Sequence, residues 1–140
     1  MPDSIDLTTV ECERLMRAGD VGRVAICTPD GPHVVPVTYW VDDRAVVFRT
    51  SPYSLLGTYA RNSLLAFEID HVDEGPQQSW SVVARGRCRS IDDHDEVARL
   101  EASSPPRPWA TGTRNLFLSI PWSEITGRRL GLRTSMPPAS

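Results

Sequence analysis

The 140-residue chain contains no lysine; all fifteen of its basic residues are arginine. That removes Schiff-base chemistry, a P-loop phosphate lysine and a lysine general base together. Genomic base composition explains an all-arginine complement as well as any functional demand does. Cysteine is scarce: Cys12, Cys27 and Cys88 are far apart and form no CxxC, which excludes a disulfide scaffold and a paired-thiolate zinc site. His33, His71 and His94 show neither HExxH nor HxH spacing, so no metal site is expected. There is no GxSxG elbow from which serine hydrolysis could be argued. No apolar run approaches the roughly 18 residues of a spanning helix. Asp3, Asp6, Glu11 and Glu13 are incompatible with a secretory signal over the first positions. A net charge of −3 leaves no positive surplus for displacing counterions from nucleic acid. The expectation is a cytoplasmic protein that engages neither membrane nor nucleic acid.

What is present is ordinary for one globular domain: 40% apolar and 24% charged residues. Thr8 and Glu11 make a capping box, Val10, Leu15 and Met16 give the following helix an apolar side, and Gly19 offers a stop. Val21 to Thr28 reads as a strand, Pro29-Asp30-Gly31-Pro32 as a turn, and His33 to Val41 as the hairpin partner. Pro36 has no ladder donor, so that strand is at an edge, bulged or interrupted there. Further strands are Ala45 to Thr50, Leu64 to Asp70, Ser79 to Ile91, Asn115 to Pro121 and, less distinctly, Ser123 to Leu130.

Short helices are read over Tyr53 to Arg61, starting near Ser51 or Ser54, and from Asp92 or Asp93 onward. Ser103 to Thr113, with three prolines, reads as an extended loop. So many strands with few helices must close on themselves to protect their edges, giving a small barrel. Cys27 and Cys88 fall in strands and read as buried, inert thiols, and Trp40 and Trp122 as packing residues.

The ordered segments VGRVAICTPDGPHVVPVTYW, VVFRTSPYSLL, LLAFEID and WSVVARGRCR resemble the pyridoxamine 5'-phosphate oxidase-like, flavin-binding split-barrel family, in its short single-domain members. The likeness runs from Thr8 to Leu130. It implies a mainly β (α+β) fold, a six-stranded antiparallel split barrel with two to three short helices, as one domain over 1–131, while the residues at 132–140, with Pro137-Pro138, read as a flexible tail. It also implies a homodimer with cofactors in clefts between subunits. By the same resemblance Pro36, Val37 and Thr38 run beside the flavin ring, and Arg49, Thr50, Ser51 and Ser54 hold the phosphate. Trp80 and Ser81 flank the ring, and the loop carrying Trp109 and Arg114 reaches the partner subunit's cofactor.

Elementary electrostatics supports the phosphate assignment, since Arg49 ends a strand just before a helix start with hydroxyls around it. Leu55 departs from the family, whose members carry a basic residue there, so one phosphate contact is missing. The implied function is an FMN-dependent oxidoreductase acting on an unidentified small molecule, with no obligatory acid–base residue. One alternative is a reductase using the deazaflavin coenzyme F-420, whose polyglutamate tail would need a basic groove such as a stripe of Arg85, Arg87 and Arg89. The other is a non-enzymatic haem- or flavin-binding protein, with His33 as the haem ligand.

Overall fold

A computed structural model describes residues 3–74, 79–103 and 116–131. The elements in chain order are β1 (Asp3–Asp6), α1 (Thr9–Ala18), β2 (Val21–Thr28), β3 (Gly31–Asp42), β4 (Ala45–Thr50), α2 (Leu55–Tyr59), β5 (Leu64–His71), β6 (Ser79–Arg87), β7 (Arg89–Ile91), α3 (His94–Ser103), β8 (Leu116–Pro121) and β9 (Glu124–Gly131). The strands form one antiparallel sheet in the order β1-β9-β6-β5-β2-β3-β4-β8-β7, curled into a half-barrel. The mainly β expectation holds, but the described residues form nine strands rather than six.

Two features account for most of the difference. β1 has the sequence Asp-Ser-Ile-Asp, without the apolar alternation that marks a strand, and pairs only with β9. The run from Ser79 to Ile91, read as one strand, breaks at Cys88. Its N–H donates to the Ser63 carbonyl at 2.8 Å and its carbonyl accepts from Asn62 N–H at 2.8 Å. The chain thereby leaves β9's side of the sheet and resumes as β7 beside β8.

The curl brings β6 against the end of β8. A Cβ on Gly86 would lie 2.0 Å from the Pro121 carbonyl oxygen, so only glycine permits this approach. Ser123 N–H donates to the Arg85 carbonyl at 2.8 Å across the same corner. Inside the curl lies the main core, with Val24, Phe48, Phe67, Val82, Leu118 and Ile120 among its members. α1 carries the predicted Thr8–Glu11 capping box and sends Cys12 and Met16 into that core. Gly19 ends the helix in extended rather than left-handed backbone, and the Tyr39 hydroxyl donates to the Met16 carbonyl at 2.6 Å. α3 lies on the opposite, outer face of β4, β8 and β7. There Leu100 and Val97 pack with Val47, Ile91, Phe117 and Trp40 as a second cluster.

The alternatives for Pro36 resolve to an edge. β3 pairs with β4 only over Tyr39 to Asp42, while its first eight residues pair with β2 alone. Tyr39 N–H donates to the Asp20 carbonyl beside β2 at 2.9 Å, so odd-numbered residues of β3 turn their backbone groups toward β2. Residues 32, 34, 36 and 38 turn theirs the other way, where no described strand pairs with them. Pro32 and Pro36 remove two of the four N–H groups on that edge, leaving those of Val34 and Thr38.

Candidate functional site

The alternation of β3 also sorts its side chains. Val35, Val37 and Tyr39 face the main core, while Pro36 and Thr38 share the outer face with Trp40. The Val37 side chain therefore packs against the main core. On β4, Phe48 points inward and Arg49 outward, directly across from Phe117. The Arg49 guanidinium carbon lies 4.9 Å from the centroid of the Phe117 ring, a cation–π contact. Trp40 meets the same ring edge-on, with centroids 6.1 Å apart and planes at 88°. Phe117 thus fixes the direction of Arg49 from one side and is braced by Trp40 from the other. Trp40 Nε1 is buried without a hydrogen-bond partner. The sequence reading took Trp40 as packing and missed Phe117. The signal was the two-residue period of VVPVTYWV, which places Trp40 in line with Pro36 and Thr38.

The hydroxyls after Arg49 behave differently from expectation. Ser54 is the N-cap of α2, its Oγ accepting from Gly57 N–H at 3.0 Å and donating to the Ser51 carbonyl at 2.7 Å. With that single proton committed, the 2.7 Å contact between Thr50 Oγ1 and Ser54 Oγ has Thr50 as donor. Thr50 is also buried. Neither hydroxyl retains a donor for a phosphate. Ser51 Oγ accepts from Tyr53 N–H at 3.2 Å, which leaves its own proton to give. The turn is tight because a Cβ at Gly57 would come 2.2 Å from the Ser51 carbonyl oxygen.

Leu55 opens α2 and leans on the main core. With five residues, α2 has almost no macrodipole to offer. The cation beside this turn, among the described residues, is Arg49, whose guanidinium lies over the Phe117 ring. Arg49 and Ser51 are the residues of this turn whose chemistry would suit a phosphate group.

Trp80 and Ser81 do not join this cluster within one chain. β6 is three strand spacings from β3, about 14 Å across the sheet. Trp80 packs on the core and stacks on His71, with centroids 6.2 Å apart. Ser81 faces outward opposite Asp70 and Arg128. Trp109, Arg114 and the 132–140 tail lie outside the described residues.

A charged group that sequence reasoning missed occupies the outer face beside Pro36. Arg23, Pro36's cross-strand neighbour, donates through Nε to Glu68 Oε1 at 2.8 Å and reaches Asp70 Oδ1 through Nη2 at 3.0 Å. Burial and the Asp70 carboxylate push the Glu68 carboxyl above its ordinary range, against the pull of Arg23. An arginine inside an apolar strand and two acids at i, i+2 in LAFEID were the available signals.

Other readings are corrected. Cys27 is exposed, since it falls on the outward parity of β2. The arginine stripe is not a groove: Arg85 pairs with Glu124 at 3.2 Å and Arg87 donates to the Asn62 carbonyl at 2.6 Å. Arg89 sits on a separate strand, 3.2 Å from Glu96. His33 Nε2 lies 3.2 Å from Asp30 Oδ1 at the hairpin end.

The sequence profile of the pyridoxamine 5'-phosphate oxidase family matches residues 8–129. The FAD binding protein of Mycobacterium smegmatis is 29% identical, covering 89% of this chain and 97% of its own, with a TM-score of 0.75. A Corynebacterium glutamicum protein assigned to the pyridoxamine 5'-phosphate oxidases is 28% identical over 96% of this chain and 98% of its own, with a TM-score of 0.79. The Mycobacterium tuberculosis protein Rv0080 is 28% identical over 131 residues, 90% of this chain and 85% of its own. A profile match over nearly the whole chain, with the half-barrel fold shared at these TM-scores, makes this chain a member of the pyridoxamine 5'-phosphate oxidase family.

Proposed function

We propose that the chain is a flavin-dependent oxidoreductase that binds the FMN unit, free or as half of FAD, in the cleft of a homodimer. The observation that carries this reading is the open backbone edge of β3 on the face shared by Pro36, Thr38 and Arg49. A planar heterocycle with alternating donors and acceptors can pair with the Val34 and Thr38 N–H groups and the carbonyls between them. Arg49 and Ser51 would then take the phosphate. Pro36 and Trp40 keep water from that side of the ring, and the Thr38 hydroxyl adds a polar contact beside it. The flavin, when bound, supplies the electron transfer; the chain's own residues bind, orient and exclude water. The substrate is a small molecule, and no side chain is assigned as acid or base.

Support for a flavin comes also from the M. smegmatis relative, which binds FAD. The homodimer rests on the family resemblance and on the outer face of β3, β2, β5 and β6, which no described helix covers. The resemblance would bring Trp109 and Arg114 to the second copy's cofactor. The deazaflavin alternative loses its basic groove to the engagements of Arg85, Arg87 and Arg89. A haem ligand at His33 would have to displace Asp30.

The test is titration of cofactor-stripped protein with flavin, followed by quenching of flavin fluorescence. Arg49→Ala should weaken binding by about 10- to 100-fold, the worth of a charge-assisted hydrogen bond pair. His33→Ala should leave it unchanged. Wild-type protein that takes up no flavin would sink the oxidoreductase reading, and an unaltered affinity in Arg49→Ala would sink the phosphate assignment.

A further inference from the structure

The charged group on the outer face has a composition that one chain tolerates and a buried interface does not. Arg23 Nη2 lies 2.6 Å from Glu68 Oε1 and 3.0 Å from Asp70 Oδ1, so a single nitrogen holds oxygens of two carboxylates. Arg23 Nε donates to the same Glu68 oxygen at 2.8 Å. With both acids ionised, one cation against two carboxylates leaves the group with one net negative charge. The side chains of Arg23, Glu68 and Asp70 are 35, 31 and 41% exposed, so water still reaches all three in one chain. Burial already raises the Glu68 carboxyl above its ordinary range, and its hydrogen bond to Asp70 adds to the effect.

Glu68 also stands near the middle of the face. β5 is the central strand of the run β9-β6-β5-β2-β3. Register sets Arg23 and Pro36 on one side of Glu68, and Val83 and Thr126 on the other. Val34, Ala25 and Ala66 line the next row. Among the described residues, the other titratable or charged side chains on the outward parity of these strands are Cys27, Arg85, Arg87, Glu124 and Arg128. Arg85 pairs with Glu124, Arg87 donates to the Asn62 carbonyl, and Arg128 lies opposite Asp6 of β1. The outward residues of β3, from Pro32 to Thr38, carry no charge.

We propose that this group links the assembly of two copies of the chain to pH, each Glu68–Asp70 pair taking up one proton as the dimer closes. The inference rests on the homodimer reading above and adds a control to it. The sheet curls around its core, so its outer face is convex, and two convex faces touch at their middles. In a two-fold contact the middle of the patch meets its own copy. Two groups of like net charge are then brought together and stripped of water, which is costly. A proton on Glu68, donated to Asp70, makes each group neutral and leaves Arg23 paired. The associated state binds more protons than the separate chains, so the dimer tightens as pH falls. Arg107, Arg114 and Arg133 lie outside the described residues. A cation brought to the carboxylates from any of them would release protons on association and loosen the dimer at low pH, so the sign of the pH dependence decides.

The experiment follows subunit exchange in the full-length protein. Pools carrying donor or acceptor dye at the N-terminus are mixed at pH 8.5, 7.0 and 5.5, and sedimentation gives the mass at each pH. Exchange should slow by at least about tenfold from pH 8.5 to 5.5, one linked proton being worth up to tenfold per pH unit. A mass that rises from one chain to two over the same interval is the same result in its stronger form. Glu68→Gln, neutral at every pH, should exchange slowly throughout. Asp70→Asn removes the more exposed acid, leaves the Arg23–Glu68 pair intact and should flatten the dependence as well. A bound flavin titrates equally in wild type and variants, so the difference between them is the quantity read. Exchange that is flat with pH, exchange that quickens as pH falls, or a wild-type dependence retained in both variants would overturn the inference and leave the homodimer standing. A single-chain mass at every pH would overturn the homodimer reading, and this inference with it.

Discussion

The three cysteines show what separates one side chain from another of the same type. Cys12 and Cys88 are each 1% exposed, and burial pushes the Cys88 thiol up to about 12. Burial raises Cys12 as well, with Glu11 and Glu13 adding to the effect. Cys27 stands in solvent on the outer face of β2. A thiol reagent at pH 8 should therefore label one cysteine quickly in the native protein and all three after unfolding. Cys27→Ser should abolish the fast phase, and a fast phase that survives this change would contradict the assignment. The same limit applies to Arg49 and Thr50. Order along the chain identified Arg49 as the cation before the α2 turn. That Thr50 spends its proton on Ser54 depends on a 2.7 Å contact four residues away, which no residue identity encodes.

At the scale of elements, α3 buries only Leu100 fully, about 1.5–3 kcal/mol of apolar transfer. Its docking is supplemented by Arg99, which forks onto Asp42 at the end of β3 at 2.9 and 3.1 Å. The guanidinium holds the Asp42 carboxyl below the ordinary carboxylate range. A lowered pKa contributes stability that is present above the unfolded-state value and is lost as pH falls through the folded-state value. Asp42→Asn should therefore lower Tm near neutral pH, and the gap from wild type should close as pH falls below the ordinary carboxylate range. A gap independent of pH would mean that packing, not the ion pair, holds the helix. Most elements were legible because turns such as Pro29-Asp30 and the two-residue alternation of β2, β4 and β5 are local properties. The break at Cys88 was not, because it is made by backbone bonds to Asn62 and Ser63 in another segment.

For the whole molecule, the salient feature is the outer face of β3, β2, β5 and β6, which no described element covers. It carries exposed Val21 and Val34 around the half-buried Arg23–Glu68–Asp70 group. The described helices shield the core and the β4–β8–β7 wing but not this surface. If the homodimer reading is right, sedimentation should give twice the chain mass. Val34→Glu, at 65% exposure and beside Pro36, should then shift the protein toward monomer and weaken flavin binding together. A monomeric variant that binds flavin as well as wild type would place the cofactor site within one chain.

Sequence alone determined the mainly β architecture, the helix caps, the family resemblance and the suspicion attached to Arg49 and Leu55. These follow from periodicity, capping chemistry and segment order, all of which are properties of neighbours in the chain. Only the tertiary structure decided the number of strands, the exposure of Cys27 and the edge position of Pro36. It also decided that Thr50 and Ser54 are committed to their own turn, while Phe117, 68 positions after Arg49, aims its charge. Such outcomes depend on which strand lies beside which. Strand order is set by how the whole sheet curls to bury its core, and no local run of residues contains that information.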